Sequence, residues 1–119
     1  MNERPHKKLE VWKESIQLAK KIYQFSESLP TEERYGLCSQ ICRASVSANI
    51  AEGAARKSSK KFLNYLNIAA SSLRELDTHF EILSQIGYIN SNAKNDFDKR
   101  IDKISALLAG LYKSVKTRT

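Results

Sequence analysis

The chain has 119 residues, a formal charge of +7, only four Gly and two Pro, and 28% charged residues. Its length fits one domain, since about 100 to 200 residues per domain is usual, and buries roughly two-thirds of the unfolded surface, enough for a core without staples. Few turn formers and many Ala, Leu, Ile, Lys, Glu and Ser residues disfavour a sheet, and no run approaches the about 18 apolar residues of a membrane helix, so an all-α protein is expected.

The opening Met1-Asn2-Glu3-Arg4-Pro5-His6-Lys7-Lys8 is followed by no apolar run of signal-peptide length, and a soluble, cytoplasmic protein with no membrane partner is expected. Charge is unevenly spread: +1 over residues 1–36, +4 over 37–61, −2 over 62–90 and +4 over 91–119. Basicity concentrated in the second and fourth of these segments suits either a polyanionic partner or a solvated basic surface.

The first predicted helix covers about 9–29. Trp12, Ile16, Ala19 and Tyr23 form one stripe at helical spacing, and Leu18, Ile22, Phe25 and Leu29 form its neighbour, which together make a broad core face. Trp12 and Tyr23 are read as core residues rather than base-stacking platforms. Pro30 ends this helix and residues 31–36 make the turn. His6 is placed in a loose terminus.

The second helix, about 37–55, departs from the usual pattern. Its core stripe is Leu37, Ile41, Ala44, Ala48, Ala51 and Ala55, large at one end and small along the rest. Beside it runs a stripe of Cys38, Cys42, Ser45, Asn49, Glu52 and Arg56. The cysteines are read as small buried side chains, because no further Cys and only two His could complete a metal or redox site.

Opposite the core stripe stand Val46 and Ile50 with Arg43. A helix apolar on two opposed sides is usually buried on both, so Val46 and Ile50 are expected to meet another subunit, or else to be covered by a displaced terminus or loop. Ser45, Asn49 and Glu52 form a polar network, either structural or holding a ligand; Glu52 stands four residues before Arg56, the favourable order for a helical ion pair.

Helix 3, about 59–86, begins at Ser58 or Ser59 as N-cap and ends before Gly87. Phe62, Leu66, Ala69, Leu73, Leu76, Phe80 and Leu83 alternate spacings of four and three, a bundle-type heptad. Helix 4, about 92–116, carries Phe97, Ile101, Ile104, Leu108, Leu111 and Val115 in the same rhythm. Short connections make these helices antiparallel neighbours, and the chain is expected to be a single four-helix-bundle domain over residues 1–119.

Where the second helix meets the third, Arg56, Lys57, Lys60 and Lys61 supply four cations within six residues beside Ser58 and Ser59. Cations at a helix start oppose the macrodipole. They mark either a phosphate or nucleic-acid site or a solvated turn. Chemistry motifs are lacking: there is no Gly-rich phosphate loop, zinc spacing or nucleophile motif, and no cofactor, metal or catalytic residue is assigned. His79, near Glu75 and Glu81, has no evident catalytic partner.

These residues carry a resemblance. Val11-Trp12-Lys13, Leu29-Pro30, Glu32-Glu33-Arg34-Tyr35-Gly36-Leu37, Ser39-Gln40-Ile41 and the run from Arg43 to Gly53, with its Asn49-Ile50-Ala51-Glu52-Gly53 segment, resemble the four-helix-bundle proteins encoded in bacterial 23S rRNA intervening sequences. Phe62-Leu63, Ala69, Ser72-Leu73-Arg74-Glu75-Leu76, Leu83 and Gly87-Tyr88-Ile89 continue it across nearly the whole chain. The resemblance implies an up-down four-helix bundle assembling as a ring-shaped homopentamer. The resemblance extends to accessory proteins of diversity-generating retroelements, basic pentamers that contact nucleic acid and a reverse transcriptase, and allows a protein partner of that kind. Two departures stand out: Cys42 where many relatives have a second arginine beside Arg43, and Ser71 where glycine is common.

The expected function is therefore a non-enzymatic, homo-oligomeric nucleic-acid-binding protein, RNA being the favoured ligand. Arg43, Arg56, Lys57, Lys60 and Lys61 would meet phosphates, and Asn49 and Glu52 would order them. The alternatives are an oligomeric protein-interaction scaffold without nucleic-acid binding, and a minor metal-dependent nuclease using Glu52.

Overall fold

The structure, a computed structural model, describes residues 4–118 other than residue 44, and of residues 40–43 the backbone alone. Among the described residues it is all-α. A 3₁₀ helix at Pro5–Lys8 leads into α1 (Glu10–Ser26), α2 (Thr31–Arg43), α3 (Val46–Ala54), α4 (Ser59–Gln85) and α5 (Ser91–Thr117). Neighbouring helices are α1 and α5, α5 and α4, α4 and α3, and α3 and α1; α2 lies on α1, and the N-terminal 3₁₀ helix touches α1 and α3.

The two long helices form where their heptads and caps agree. Ser58 Oγ accepts the Lys61 N–H at 3.3 Å and Asn90 Oδ1 accepts the Ala93 N–H at 2.8 Å, each satisfying a donor that the first turn leaves unpaired. At the end of α4, Gly87 takes φ 85°. The Tyr88 N–H reaches the Leu83 carbonyl at 2.9 Å and the Gly87 N–H the Ser84 carbonyl at 3.2 Å, a Schellman closure that favours a residue without Cβ at position 87.

The predicted stripes of these helices are the core. Leu66, Ala69, Leu73, Leu76, Phe80 and Leu83 of α4, and Phe97, Ile101, Ile104, Leu108 and Val115 of α5, are buried, with Phe62 and Leu111 packed against them. Phe80 and Phe97 stack with centroids 4.3 Å apart, and Phe25 of α1 meets Phe97 edge-on at 5.6 Å, so one aromatic cluster joins three helices.

In α1 the second of the two expected stripes dominates. Val11, Leu18 and Ile22 are buried, as is Leu29 beyond the helix, whereas Tyr23 is 44% exposed, which corrects its reading as a core residue. His6 is not loose: it lies in the 3₁₀ helix with its ring edge-on to Trp12, centroids 4.9 Å apart.

The region between Pro30 and Ala55 differs most from expectation. Residues 31–36 are not a turn but the first turns of α2, because Pro30 caps a helix as readily as it ends one: its carbonyl accepts the Arg34 N–H at 2.9 Å, and Glu32 and Glu33 sit in the first turn where the dipole favours acids. The helix expected over 37–55 is two helices. Ser45 stands at φ −63°, ψ 124° and its hydroxyl accepts the Ala48 N–H at 3.1 Å, capping α3.

The interruption resets which side of α3 faces inward. Ile50 is 0% exposed and Val46 5%; Val46 lines a small void with Leu18, Ala19, Ile22 and Leu76. Val46 and Ile50 therefore belong to the core of their own protomer, which corrects their assignment to a subunit contact. Ala48 and Ala55, expected inside, are exposed and Ala51 is half-buried. Leu37 is buried as expected, while the Ile41, Cys42 and Ala44 side chains lie outside the described residues. The half-buried Cys38 has its sulfur 3.6 Å from the Ser26 hydroxyl.

Candidate nucleic-acid interface

A short connection joins α3 to α4, and the two helices approach closely. Gly53 is buried on the inner side of α3, and a Cβ there would lie 2.8 Å from Phe62 Cδ1 and 2.9 Å from Tyr65 Cβ. The following residues, Arg56-Lys57-Ser58, swing outward before Ser58 caps α4. Arg56, Lys57, Lys60 and Lys61 are consequently all exposed at one end of the molecule. Arg43 is expected at the same interface, and its side chain lies outside the described residues.

The polar residues of α3 divide into two groups. Ser45 is the helix cap, and Asn49 Nδ2 donates to the Ser45 backbone carbonyl at 2.9 Å, so this pair secures the start of the helix. Glu52 and Arg56 pair through Oε2 and Nη2 at 3.0 Å. The same Nη2 donates to Tyr65 Oη at 3.1 Å, and the guanidinium carbon lies 5.2 Å from the Tyr65 ring centroid. An exposed ion pair contributes only about 0–1 kcal/mol to stability, but tyrosine and carboxylate together fix where Arg56 points.

Lys57, Lys60 and Lys61 have no carboxylate within ion-pairing distance among the described residues, in contrast to Arg56, Lys94, Arg100 and Lys103. Three cations without internal counter-charge at a helix start raise the local potential. Ser58 Oγ accepts the Lys61 N–H in its cap, so that N–H is less available to an anion than the sequence suggested, while the Ser58 O–H can still donate to one.

A groove begins at these lysines. Ser58, Lys60, Lys61, Asn64 and Asn67 of the α4 start and Tyr112 of α5 line a cavity of about 660 Å³. Sequence reasoning missed Asn64, Asn67 and Tyr112. The two asparagines follow Lys60 at spacings of four and three, which a search for polar stripes could have found; the apposition of Tyr112 depends on the α4 and α5 pairing and has no local signal.

Among the described residues, no group of three or more His, Cys, Asp or Glu side chains is placed to hold a metal ion, and no helix is long and apolar enough to cross a membrane.

No curated protein matches the chain. A crystal structure of a protein of unknown function from the S23 ribosomal protein family of Bacteroides thetaiotaomicron is similar, with 28% identity and a TM-score of 0.77 over 87% of this chain and 95% of that one. The family model for the 23S rRNA-intervening sequence protein matches residues 7–110. With the match running from the N-terminal 3₁₀ helix to the last turns of α5, the chain belongs to the 23S rRNA-intervening sequence protein family.

Proposed function

We propose that the protein is a non-enzymatic, homo-oligomeric nucleic-acid-binding protein, with RNA as its ligand and the α3 to α4 junction as its phosphate-contacting surface. The observation that carries this reading is the exposed trio Lys57, Lys60 and Lys61, which no carboxylate among the described residues pairs with, beside an Arg56 aimed by Glu52 and Tyr65. Cations so placed exchange counterions for phosphates, and the affinity they give falls steeply with salt.

In this reading the protomer is an up-down four-helix bundle whose second arm is α2 and α3 together, and copies assemble into a ring, five being the number the family resemblance implies. Val46 and Ile50 do not support assembly, since they are internal. Support comes instead from α4, where Ile68, Ile82 and Ile86 are 41%, 54% and 53% exposed. They lie along one side of the helix with Glu75 among them, in the segment that is net acidic within a chain of charge +7. The basic surface of another copy complements that side.

The test is binding of structured RNA by fluorescence anisotropy at several salt concentrations, with wild type and Lys60→Glu/Lys61→Glu. The double variant should bind more weakly, and the slope of log affinity against log salt should drop by about two. Equal affinity and slope in the two proteins would remove the reading and leave the protein-interaction scaffold, which captures its partner independently of salt.

A further inference from the structure

The cavity at the start of α4 does not end at Tyr112. A second one, about 310 Å³, continues along the same seam between α4 and α5, shares Asn67 and Tyr112 with the first, and reaches Arg74. Together they make one groove whose α4 side runs from Lys60 to Arg74, about 21 Å at 1.5 Å per residue. Its cationic ends are Lys60 with Lys61 and Arg74, and Tyr112 stands at the waist.

Among the described residues not one carboxylate lines this groove, although the chain has 13 Asp and Glu and the groove on another side of α4 contains Glu75. The floor is kept open by small side chains, Ala70 on α4 and Ala109 on α5. Tyr112 is half-buried, packed in part against the core, which restrains its ring. Asn64 and Asn67 add amides that can both donate to and accept from base edges.

We propose that this groove binds single-stranded polynucleotide, with Tyr112 stacking on a base, Asn64 and Asn67 reading base edges, and Lys60, Lys61 and Arg74 holding phosphates at the two ends. The inference rests on the nucleic-acid reading above and specifies the form of the ligand. Helices packed at about 8–10 Å between axes leave a furrow that admits planar rings and one backbone rather than a double helix. A positive groove with an aromatic platform is the arrangement that favours unpaired strands, because every base offers a stacking face only when unstacked.

The experiment compares the full chain with Tyr112→Ala, Tyr112→Phe, Ala109→Glu and Lys60→Glu/Lys61→Glu. Anisotropy is read with a labelled uridine homopolymer, a thymidine homopolymer of equal length and a blunt RNA duplex. Wild type should prefer the single strands to the duplex. Tyr112→Ala should weaken single-strand binding by about five- to a hundredfold, the loss of one stacked base, with Tyr112→Phe within about twofold of wild type. Ala109→Glu, at an exposed helix position, should weaken it with the thermal midpoint unchanged, and decides the matter if Tyr112→Ala fails to fold.

Tighter binding of the uridine strand assigns RNA as the ligand, and tighter binding of the thymidine strand assigns DNA. If Ala109→Glu leaves single-strand affinity intact while Lys60→Glu/Lys61→Glu still lowers it, the groove is not the site and the nucleic-acid reading survives without it. If wild type binds none of the three probes, both ideas are overturned.

Discussion

Gly53 of α3 faces Phe62 of α4 at a distance that leaves no room for a methyl group: an added Cβ would stand 2.8 Å from Cδ1 of the ring and 3.3 Å from the Phe62 carbonyl oxygen. The ring can rotate away, but the carbonyl and the Tyr65 Cβ, at 2.9 Å, move only with the α4 backbone. Gly53→Ala should therefore destabilise the protein, overpacking costing about 1–3 kcal/mol against a gain in helix propensity of about 1 kcal/mol. Gly36 in α2 and Gly110 in α5 meet nothing within 4 Å, so Gly36→Ala and Gly110→Ala should stabilise by about 0.5–1 kcal/mol. Urea unfolding of the three variants checks the opposite signs; a stabilised Gly53→Ala would show that α3 and α4 are not held this closely.

The burial of Ile50 yields a second test, which separates a core position from a subunit contact. Ile50→Ala should cost about 2–5 kcal/mol, the range for deleting a buried aliphatic side chain, and the loss should be the same at every protein concentration. A residue at a subunit contact would behave differently, since its deletion would act through mass action. Thermal melts across a wide concentration range, with sedimentation velocity on both proteins, measure the difference. A variant that dissociates without losing protomer stability would return Ile50 to an interface.

These two residues also show how far the sequence could be read. The heptads of α4 and α5 were legible because every core position from Phe62 to Leu83 and from Phe97 to Val115 keeps one phase, with Ser58, Gly87 and Asn90 marking the ends. Between Leu37 and Ala55 the sequence reads as one helix in one uninterrupted phase, after a turn over residues 31–36. The cap at Ser45 breaks it, and a serine within an apolar helical pattern reads equally well as an interior residue or as a cap. The error therefore fell on Val46 and Ile50, placed outside, and on Ala48 and Ala55, placed inside. Of the candidate site, the cluster from Arg56 to Lys61 and the Glu52 to Arg56 pair were visible because both are local in sequence. Tyr65 over Arg56 and Tyr112 beside Asn67 were not, since each requires two helices to be packed first.

A third prediction concerns pH. Lys94 near the start of α5 bridges to α4, with Nζ 2.8 Å from Asp98 Oδ1 and 3.2 Å from Glu81 Oε2. Hydrogen bonds from Gln85 and then Lys94 hold the Glu81 carboxyl below its ordinary 4.5, and Asp98 foremost raises the Lys94 ammonium above its ordinary 10.5. A depressed carboxyl contributes stability that is present above its unfolded value and lost as pH falls through the folded one. A raised ammonium contributes stability that is present below its unfolded value and lost as pH rises through the folded one. Glu81→Gln should accordingly flatten the decline in stability just below pH 4.5, and Lys94→Met should flatten the alkaline decline above 10.5. Both groups are close to solvent, so screening keeps the effects small. Urea midpoints measured across each window check them; unchanged slopes in both variants would mean that the bridge is not formed in solution.

The last prediction turns on Glu52, the one carboxylate among the described residues that pairs with a cation of the basic junction. Its Oε2 occupies Nη2 of Arg56 and offsets one of the four cations that would meet phosphate. Removing that charge leaves Arg56 on Tyr65, still bonded to the hydroxyl, but no longer neutralised. Under the nucleic-acid reading Glu52→Gln should tighten binding of single-stranded RNA, and the slope of log affinity against log salt should steepen by up to about one. A nuclease built on Glu52 makes the opposite forecast, that metal-dependent cleavage of the same RNA disappears in Glu52→Gln. Both readouts come from one sample, anisotropy for binding and a denaturing gel for cleavage. Tighter binding with no cleavage by either protein supports the phosphate surface, whereas cleavage by wild type that vanishes in the variant moves Glu52 from charge compensation to catalysis.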